Sequence, residues 1–321
     1  MIFDLNSQVI VQGITEPIGQ TYVPLMHAYG TKVIAGVSPG YGGIICGTIP
    51  VFDMVEQVVL KLGRIDISLI CTHPYDVLDA ATEAMRAGIR HLIIISQGVP
   101  PVDMIHLIQQ AEATDTLLVG PNGPGVIVPG KLLLGIHPPM FYTPGRVGLL
   151  TRNGPLTYDI ARTLTKAGIG QSIGVSIGSD SIVGSTFQQW LQILEEDEDT
   201  DAIVLVGEIG GDSEELAAHY IAHSIDKPVI AYIAGHTAPR DRRMGHAGTI
   251  IEAKGGDFGA DTFGADIGTA ESKVTALKQA GVPVADRPSQ ISDLLRRVLQ
   301  PKRSRSTTHK AKTPRSEMSV S

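Results

Sequence analysis

The stretch Arg242-Arg-Met-Gly-His-Ala-Gly248 contains a histidine whose neighbours are small. Gly245 precedes His246 and Ala247-Gly248 follows it, so a large ligand can approach the imidazole closely. An accessible imidazole near pH 7 can exchange protons or attack as a nucleophile. Surface and core positions also suit histidine, and the spacing alone leaves those interpretations open beside a catalytic one.

A carboxylate stands among glycines in the segment Val206-Gly-Glu-Ile-Gly-Gly211. Glu208 follows a predicted strand directly, at the carboxyl edge where open α/β sheets bind their ligands. A solvent-exposed acid would give the same pattern, so Glu208 is a candidate and no more at this point.

The stretch Thr151-Arg-Asn-Gly-Pro-Leu-Thr157 joins a predicted strand to a predicted helix. Asn153 or Gly154 is placed to cap the helix, Pro155 suits its first position, and Thr157 adds a hydroxyl in the first turn. The free N–H groups and the helix dipole attract an anion. An ordinary helix cap explains the same residues.

The chain carries no G-x-x-x-x-G-K-[ST] loop for nucleotide phosphates. Its first strand–helix turn, Gly13-Ile-Thr-Glu-Pro-Ile-Gly19, spaces its glycines more widely than a dinucleotide fingerprint does. The turn still lies where a doubly wound sheet offers N–H groups to a phosphate, although Glu16 adds negative charge and Pro17 removes a donor. Gly40-Tyr-Gly-Gly43 is either a plain turn or a second ligand loop.

Short apolar runs alternate with amphipathic stretches along the chain. The runs are continuous Val, Ile and Leu, which is typical of parallel sheets covered by helices on both faces. Strands are predicted at 9–11, 32–36, 67–71, 91–96, 116–120, 147–151, 173–177, 202–206, 229–234 and 281–284, and helices at 18–29, 51–62, 76–87, 103–113, from 155, near 185–194, 213–223 and 288–299.

These elements predict an α/β protein with two domains. Residues 1–128 form a doubly wound domain, the Gly/Pro-rich residues 129–145 connect it to the next, and residues 146–300 form a flavodoxin-like domain. Residues 255–269 contain FGAD twice and are predicted to be a surface insertion, since their carboxylates fit no calcium loop. Residues 301–321 are predicted to be a disordered tail.

Composition excludes several classes of protein. The 321 residues are 43% hydrophobic and 18% charged, which is globular, and two cysteines are too few for a disulfide framework or a cysteine zinc cluster. No apolar run is long enough to span a bilayer, and a strand by Val9 leaves no room for a leader. The net charge is −7 although 301–321 holds six basic residues and one acid, and an acidic body argues against nucleic-acid binding. We therefore expect a cytoplasmic protein without metal, membrane or nucleic-acid contacts.

The motifs together resemble one family. GPNGPG at 120–125, TRNGPLTYD at 151–159, GEIGG at 207–211 and AGHTAPRDRRMGHAG at 234–248 are similar in order and spacing to the α subunit of succinyl-CoA synthetase, the succinate–CoA ligase. The resemblance runs from about residue 5 to residue 300. It implies a Rossmann-like CoA-binding domain followed by a flavodoxin-like ligase domain.

The resemblance also implies a reaction. Succinate, CoA and ATP or GTP would be linked through a phosphorylated His246, and Glu208 would hold the other ring nitrogen. The helix from Gly154, with Asn153 and Thr157, would bind the phosphate. The nucleotide, with Mg, would sit on an ATP-grasp β subunit, which makes that subunit the expected partner.

Family positions for CoA fall on the first domain. They are Thr15, Glu16, Pro17, Ile18, Tyr41, Ile95, Ser96 and Gln97. Tyr158 matches a tyrosine of the carboxylate substrate site. This chain has TEPI where the family has small polar residues, and Tyr41 where it has a lysine. Two alternatives stay open: an acyl-CoA ligase α subunit for another carboxylic acid, and a non-catalytic CoA-binding regulator.

Overall fold

Two seven-stranded sheets with flanking helices make up the described part of the protein. The structure is a computed structural model, and it describes residue 3 and residues 5–152, 154–237 and 268–299. The predicted FGAD insertion and the predicted basic tail therefore lie outside the described residues, apart from residues 268 and 269 of the insertion. Within these ranges no helix has the length and apolarity needed to cross a bilayer.

The first sheet contains six parallel strands and one short antiparallel strand at its edge. Its elements are β1 (Gln8–Gln12), α1 (Pro17–Tyr29), β2 (Lys32–Val37), β3 (Ile45–Cys46), β4 (Ile49–Phe52), α2 (Val55–Leu62), β5 (Ile67–Ile70), α3 (Val77–Arg86), β6 (His91–Ile94), α4 (Pro101–Thr114) and β7 (Leu117–Val119). The strand order is β3-β4-β2-β1-β5-β6-β7. Its parallel strands follow the order of a Rossmann fold, as predicted.

The helix predicted at 51–62 begins only at Val55, because the residues before it form a strand. Ile49 and Val51 are buried while Pro50 and Phe52 are less so, a period of two that fits an outer strand. Pro50 fits there too, since proline is tolerated near a sheet edge.

The second sheet contains five parallel strands and an antiparallel hairpin. Its elements are β8 (Gly125–Val128), β9 (Leu132–Gly135), β10 (Pro144–Thr151), α5 (Gly154–Lys166), β11 (Gln171–Ser176), α6 (Phe187–Glu196), β12 (Ala202–Glu208), α7 (Ser213–Ser224), β13 (Val229–Ala234), α8 (Ala270–Gln279), β14 (Val284–Ala285) and α9 (Ile291–Leu299). The order is β14-β13-β12-β10-β11-β8-β9. The five parallel strands have the flavodoxin-like order, which agrees with the predicted fold.

The hairpin β8–β9 occupies a region for which no strand was predicted. All eight of its residues are buried, and β8 pairs with β11 of the second sheet. On its other side β9 packs on α1. Just after that helix, the Thr31 hydroxyl donates to the Leu133 carbonyl at 2.8 Å and accepts from the Leu133 N–H at 3.1 Å. The predicted connector, residues 129–145, thus contains β9 and the beginning of β10. The domain limits themselves stay a prediction.

The apolar residues of β1 divide between two cores. Ile10 packs with Val37, Val58 and other residues on the face covered by α2, α3 and α4. Val9 and Val11 belong to a cluster that continues through Leu133 into the second sheet. The two sheets therefore share one apolar core, which holds their carboxyl-edge loops in a defined relation.

Gly13 and Gly19 let α1 begin close to the sheet. Gly13 has φ +81°, and a Cβ on it would lie 2.8 Å from the Thr72 backbone nitrogen. A Cβ on Gly19 would lie 2.5 Å from the Gly13 carbonyl oxygen. Glycine is needed at both positions because larger residues would push the helix away from the turn that precedes it.

Candidate active site

Glu208 ends β12 at the carboxyl edge of the second sheet, and only 5% of it is exposed. Its neighbours across the sheet are β10, where Thr151 is opposite Val206, and β13, where Ala234 is opposite Glu208. The Arg152 N–H donates to the Val206 carbonyl at 3.1 Å, which continues the pairing to the point where α5 begins. The carboxylate and the start of α5 consequently share one edge.

The stretch that holds His246 leaves and rejoins the described structure beside Glu208. The last described residue before it, Thr237, comes three residues after the end of β13. The first one after it, Gly268, accepts from the Gly210 N–H at 2.8 Å and donates to Glu215 Oε1 at 3.2 Å. His246 itself, like Asn153, lies outside the described residues. Its predicted pairing with Glu208 stays a prediction.

A buried cluster of charged side chains lies at the carboxyl edge of the second sheet, next to the end of β12. Lys273 on α8 is fully buried, and its ammonium donates to Glu214 at 2.5 Å, to Glu215 at 3.0 Å and to the Gly211 carbonyl at 2.8 Å. Glu214 Oε1 in turn accepts from the backbone N–H of Glu208 at 3.1 Å. Glu215 Oε1 accepts from Gly268 and from the Ser272 hydroxyl. The cluster thus ties the end of β12 to Gly268 and α8, where the chain returns from the His246 stretch.

The first turn of α5 faces the GPNGPG loop. A Cβ on Gly154 would lie 3.7 Å from Cδ of Pro124. Thr157, predicted to bind phosphate, is fully buried, and its hydroxyl makes a 2.5 Å hydrogen bond with the hydroxyl of Thr151. That bond engages the hydroxyl with β10, so a phosphate at this turn would depend more on backbone N–H groups.

Several buried polar atoms near this turn have no hydrogen-bond partner among the described residues. They are Arg152 Nε, Ser176 Oγ and Asp180 Oδ2. The other guanidinium nitrogens of Arg152 donate to the Ser213 hydroxyl and to the Asp180 carbonyl, both at 3.1 Å. Buried donors need partners, and a nearby anionic group would give this guanidinium a charged one.

The first predicted CoA segment lies at the carboxyl edge of the first sheet. Thr15 donates from its hydroxyl to the Ser38 hydroxyl at 2.9 Å, which joins the loops after β1 and β2. Glu16, Pro17 and Ile18 are exposed, and Glu16 caps α1 without a side-chain hydrogen bond. The segment is therefore open to a ligand, although its charge is negative.

Tyr41 lies in the loop after β2 and is 53% exposed. Asp53 holds this loop, because its Oδ1 accepts from the N–H groups of Gly40 at 2.8 Å and Gly42 at 2.9 Å. The loop therefore carries an aromatic ring next to a carboxylate. Neither group neutralises a phosphate.

The third predicted CoA segment follows β6. Ile95 is buried and Ser96 donates from its hydroxyl to the Thr72 carbonyl at 2.6 Å, whereas Gln97 is exposed. Gln97 alone of the three presents its side chain to solvent. The Ser96 carbonyl accepts from the Asn122 N–H at 3.0 Å, which links this segment to the GPNGPG loop.

Tyr158 is half-buried on α5, and its ring meets His137 edge-on with centroids 5.9 Å apart. Burial raises the pKa of its phenol to about 12, and the neighbouring phenol of Tyr22 on α1 adds to the effect. Tyr158 is consequently a neutral hydrogen-bonding group near the junction of α5 and α1 at all ordinary pH values.

Two protein families match this chain. The family model of the CoA binding domain matches residues 4–98, and the family model of CoA-ligase matches residues 150–282. The succinate–CoA ligase (ADP-forming) α subunit 2 of Archaeoglobus fulgidus is 43% identical over 299 residues, which are 93% of this chain and 99% of the relative. The chain belongs to the succinate–CoA ligase α-subunit family. The α subunit from Aquifex aeolicus is 41% identical over 302 residues, 94% of this chain and 95% of the relative.

Solved structures outside the succinate–CoA ligase family share the fold. An ATP citrate lyase from Methanothrix soehngenii, in complex with citrate and coenzyme A, has a TM-score of 0.80 at 21% identity; the match covers 99% of this chain and 54% of that one. A dinucleotide-forming acetyl-coenzyme A synthetase from Ca. Korarchaeum cryptofilum has a TM-score of 0.69 at 20% identity, covering 90% and 60%. The chain spans about half of the citrate lyase chain.

The matched segments divide the succinate–CoA ligase motifs between the two sheets. The CoA-binding match contains the loops at Thr15–Ile18, Tyr41 and Ile95–Gln97, and the CoA-ligase match contains Glu208 and His246. The buried position of Arg152 and the ion cluster around Lys273 were not predicted from the sequence. Arg152 stands inside a motif already singled out, whereas nothing in the sequence around Lys273 distinguishes it from the exposed lysines of other helices.

Proposed function

We propose that this chain is the α subunit of a succinate–CoA ligase. With a β subunit, it forms succinyl-CoA from succinate, CoA and ATP or GTP, reversibly and in the cytoplasm. The γ-phosphoryl group passes from the nucleotide to a ring nitrogen of His246 with release of the nucleoside diphosphate, and then to a succinate carboxylate. The CoA thiol attacks the resulting acyl phosphate, and phosphate leaves.

The observation that carries this proposal is the placement of Glu208. The carboxylate lies at the edge of the sheet where the chain enters the His246 stretch. Gly268, the first described residue after that stretch, accepts a hydrogen bond from the N–H of Gly210, which is two residues after Glu208. Glu208 can then accept a hydrogen bond from the second imidazole nitrogen. That bond would fix the tautomer and stabilise the positive charge of the phosphorylated ring, as the acid of a catalytic triad does.

The helix α5 supplies the second part of the site. Its N-terminus, with Asn153 and Gly154, offers N–H groups to the phosphoryl group, and the buried guanidinium of Arg152 adds positive charge beside it. Tyr158 on the same helix is the proposed hydrogen-bond donor to the carboxylic acid.

The substrates are divided between two chains in this proposal. CoA binds at the carboxyl edge of the first sheet, along Thr15–Ile18, Tyr41 and Ile95–Gln97. The nucleotide and its Mg bind to an ATP-grasp β subunit, because this sequence contains no phosphate loop of the G-x-x-x-x-G-K-[ST] type. The phosphorylated His246 would carry the phosphoryl group between the nucleotide site of the β subunit and the acid site of this chain.

Phosphorylation of the complex tests the assignment of His246. The chain is co-expressed with an ATP-grasp β subunit, purified as a complex and incubated with γ-labelled ATP. We expect an acid-labile, base-stable label that is absent in His246→Asn and forms more slowly in Glu208→Gln. Glu198→Gln is a matched control on a surface loop and should label like the parent. A label that persists in His246→Asn would overturn the proposal.

Acid specificity and the need for a partner are tested on the same material. The complex should form a thioester fastest with succinate in a panel of mono- and dicarboxylic acids, and the isolated chain should form none. A different preferred acid would identify the chain as an acyl-CoA ligase α subunit of another specificity. CoA binding without label or thioester would identify a regulator.

A further inference from the structure

His137 is a buried histidine that the proposed reaction does not use. It follows β9, only 2% of it is exposed, and it lies in the segment for which the sequence predicted a connector. Both ring nitrogens have partners: Nε2 lies 3.0 Å from the Gly125 carbonyl oxygen, and Nδ1 lies 2.7 Å from the Tyr142 hydroxyl. A buried histidine with two fixed partners has a defined orientation.

The partners determine the tautomer of His137. The Gly125 carbonyl can only accept, so Nε2 carries the proton and donates it. Nδ1 is then the acceptor, and the Tyr142 hydroxyl donates to it. Burial lowers the pKa of His137 to about 4, so the ring is neutral at ordinary pH and keeps this one pattern of hydrogen bonds.

The imidazole connects the GPNGPG loop to Tyr158, the proposed acid-binding residue. Gly125 closes the GPNGPG loop, whose Pro124 faces the first turn of α5 at Gly154. The ring of Tyr158, one turn further along α5, meets the edge of His137 at an interplanar angle of 79°. His137 therefore touches the loop through Nε2 and the phenol through its ring.

The other side of the same loop is polar. The Asn122 side-chain N–H donates to Asp180 Oδ1 at 2.7 Å, and a Cβ on Gly123 would lie 3.1 Å from Ser176 Oγ. Within the described residues, that serine hydroxyl has no hydrogen-bond partner. One side of the loop is thus anchored by the hydrogen bond to His137. The other side faces the buried Ser176 hydroxyl, which suits the lining of a polar ligand site.

We propose that His137 is a positioning residue for the carboxylic acid substrate. It holds the GPNGPG loop and the Tyr158 ring at a fixed separation, so that both meet the acid carboxylate in one geometry. The inference rests on the proposed function, in which Tyr158 donates to the acid. Misplacement of substrate-orienting groups by about 1 Å has large kinetic effects, so loss of this contact should weaken acid binding selectively.

The test measures the KM values of succinate, CoA and ATP with the αβ complex. His137→Leu removes both hydrogen bonds at similar volume, and Tyr142→Phe removes one and is nearly isosteric. We expect the KM of succinate to rise about tenfold in His137→Leu and about threefold in Tyr142→Phe, with the KM of CoA and of ATP changed less than twofold. His137→Gln, which keeps a donor and an acceptor, should recover most of the loss.

The matched control is His91→Leu. His91 is a half-buried histidine on β6 of the first sheet, and its Nδ1 lies 3.4 Å from the carbonyl oxygen of Asp66. Its replacement should leave the KM of succinate unchanged. If His137→Leu and Tyr142→Phe leave that KM unchanged, or if all three KM values rise in parallel, His137 has no positioning role. Should His137→Leu fail to fold, Tyr142→Phe decides.

Tyr158→Phe separates this inference from the proposed function. If it raises the KM of succinate while the His137 and Tyr142 variants do not, Tyr158 binds the acid and His137 does not position it. If Tyr158→Phe itself leaves the KM of succinate unchanged, the assignment of Tyr158 to the acid site is wrong, and the positioning role of His137 falls with it.

Discussion

The backbone N–H of Glu208 donates to Oε1 of Glu214, with the two atoms 3.1 Å apart. Glu214 is fully buried and is paired with the ammonium of Lys273 on α8. The orientation of the β12 terminus, where Glu208 projects, therefore depends on a lysine that follows it by 65 positions in the chain. The link connects the proposed catalytic carboxylate to a buried charge pair.

Loss of Lys273 should be costly to the fold. Lys273→Met leaves the carboxylates of Glu214 and Glu215 buried without their cation, and breaking a buried pair in this way costs about 3–5 kcal/mol. Urea denaturation of parent and variant measures the loss. Arg146→Met removes the cation of an exposed ion pair with Asp201 and should cost far less. Equal losses in the two variants would contradict the importance of burial.

Tyr41→Lys should tighten CoA binding. The parent loop offers a phosphate no cation, and Asp53 lies beneath it, whereas an ammonium at this exposed position adds a charge-assisted hydrogen bond. We expect the KM of CoA to fall about tenfold, because solvent screens part of the gain. Leu60→Lys adds the same charge to an exposed position of α2, a helix that covers the same sheet, and serves as control. A similar fall in both would mean that net charge alone is responsible.

Gly19→Ala should disturb the proposed CoA site by a steric route. The added Cβ would lie within 3 Å of the Gly13 carbonyl oxygen and of Cα of Ile14, both backbone atoms that cannot rotate away. We expect a loss of about 1–3 kcal/mol in the free energy of unfolding, together with a higher KM for CoA. Leu25, which is 49% exposed on the same helix, provides the control variant Leu25→Ala. An unchanged KM for CoA would place the CoA site away from this turn.

The stability of the protein should depend on His137 at acidic pH. Its pKa is about 4 in the folded protein, because burial disfavours the charged ring, and about 6.5 in the unfolded chain. Between these values the unfolded chain binds a proton that the folded protein excludes. The free energy of unfolding therefore decreases as pH falls through this window, by about 3 kcal/mol for this residue.

Denaturant titrations at pH 7 and pH 4 check the prediction by comparing parent and His137→Gln. The variant should be less stable at pH 7 but should lose less of its remaining stability on acidification. The two proteins share all other titrating groups, so the difference between their slopes isolates His137. Parallel slopes would mean that the folded protein accommodates a protonated imidazole.

Much of the fold was predictable because parallel strands that are covered by helices on both faces consist of continuous apolar residues. The runs at 32–36 and 202–206 became β2 and β12, and the helix predicted at 18–29 begins one residue earlier, at Pro17. The loops at the carboxyl edges follow from those strands. The positions of Glu208, Gly154 and Thr15 at sheet edges were therefore available from the order of residues alone.

Other features depended on contacts between distant segments. The hairpin β8–β9 forms because its apolar residues pack against β11 and α1. In the sequence, the neighbouring glycines and prolines made this segment resemble a linker. Lys273 and His137 carry no local mark of burial, since a lysine in a helix is usually exposed. The carboxylates of α7 and the Gly211 carbonyl make burial of Lys273 favourable, and the Gly125 carbonyl and the Tyr142 hydroxyl do so for His137. Sequence determined which residues carry the proposed chemistry. Tertiary structure decided which buried partners hold them, because the cost of burying a polar group is set by atoms far away in the chain.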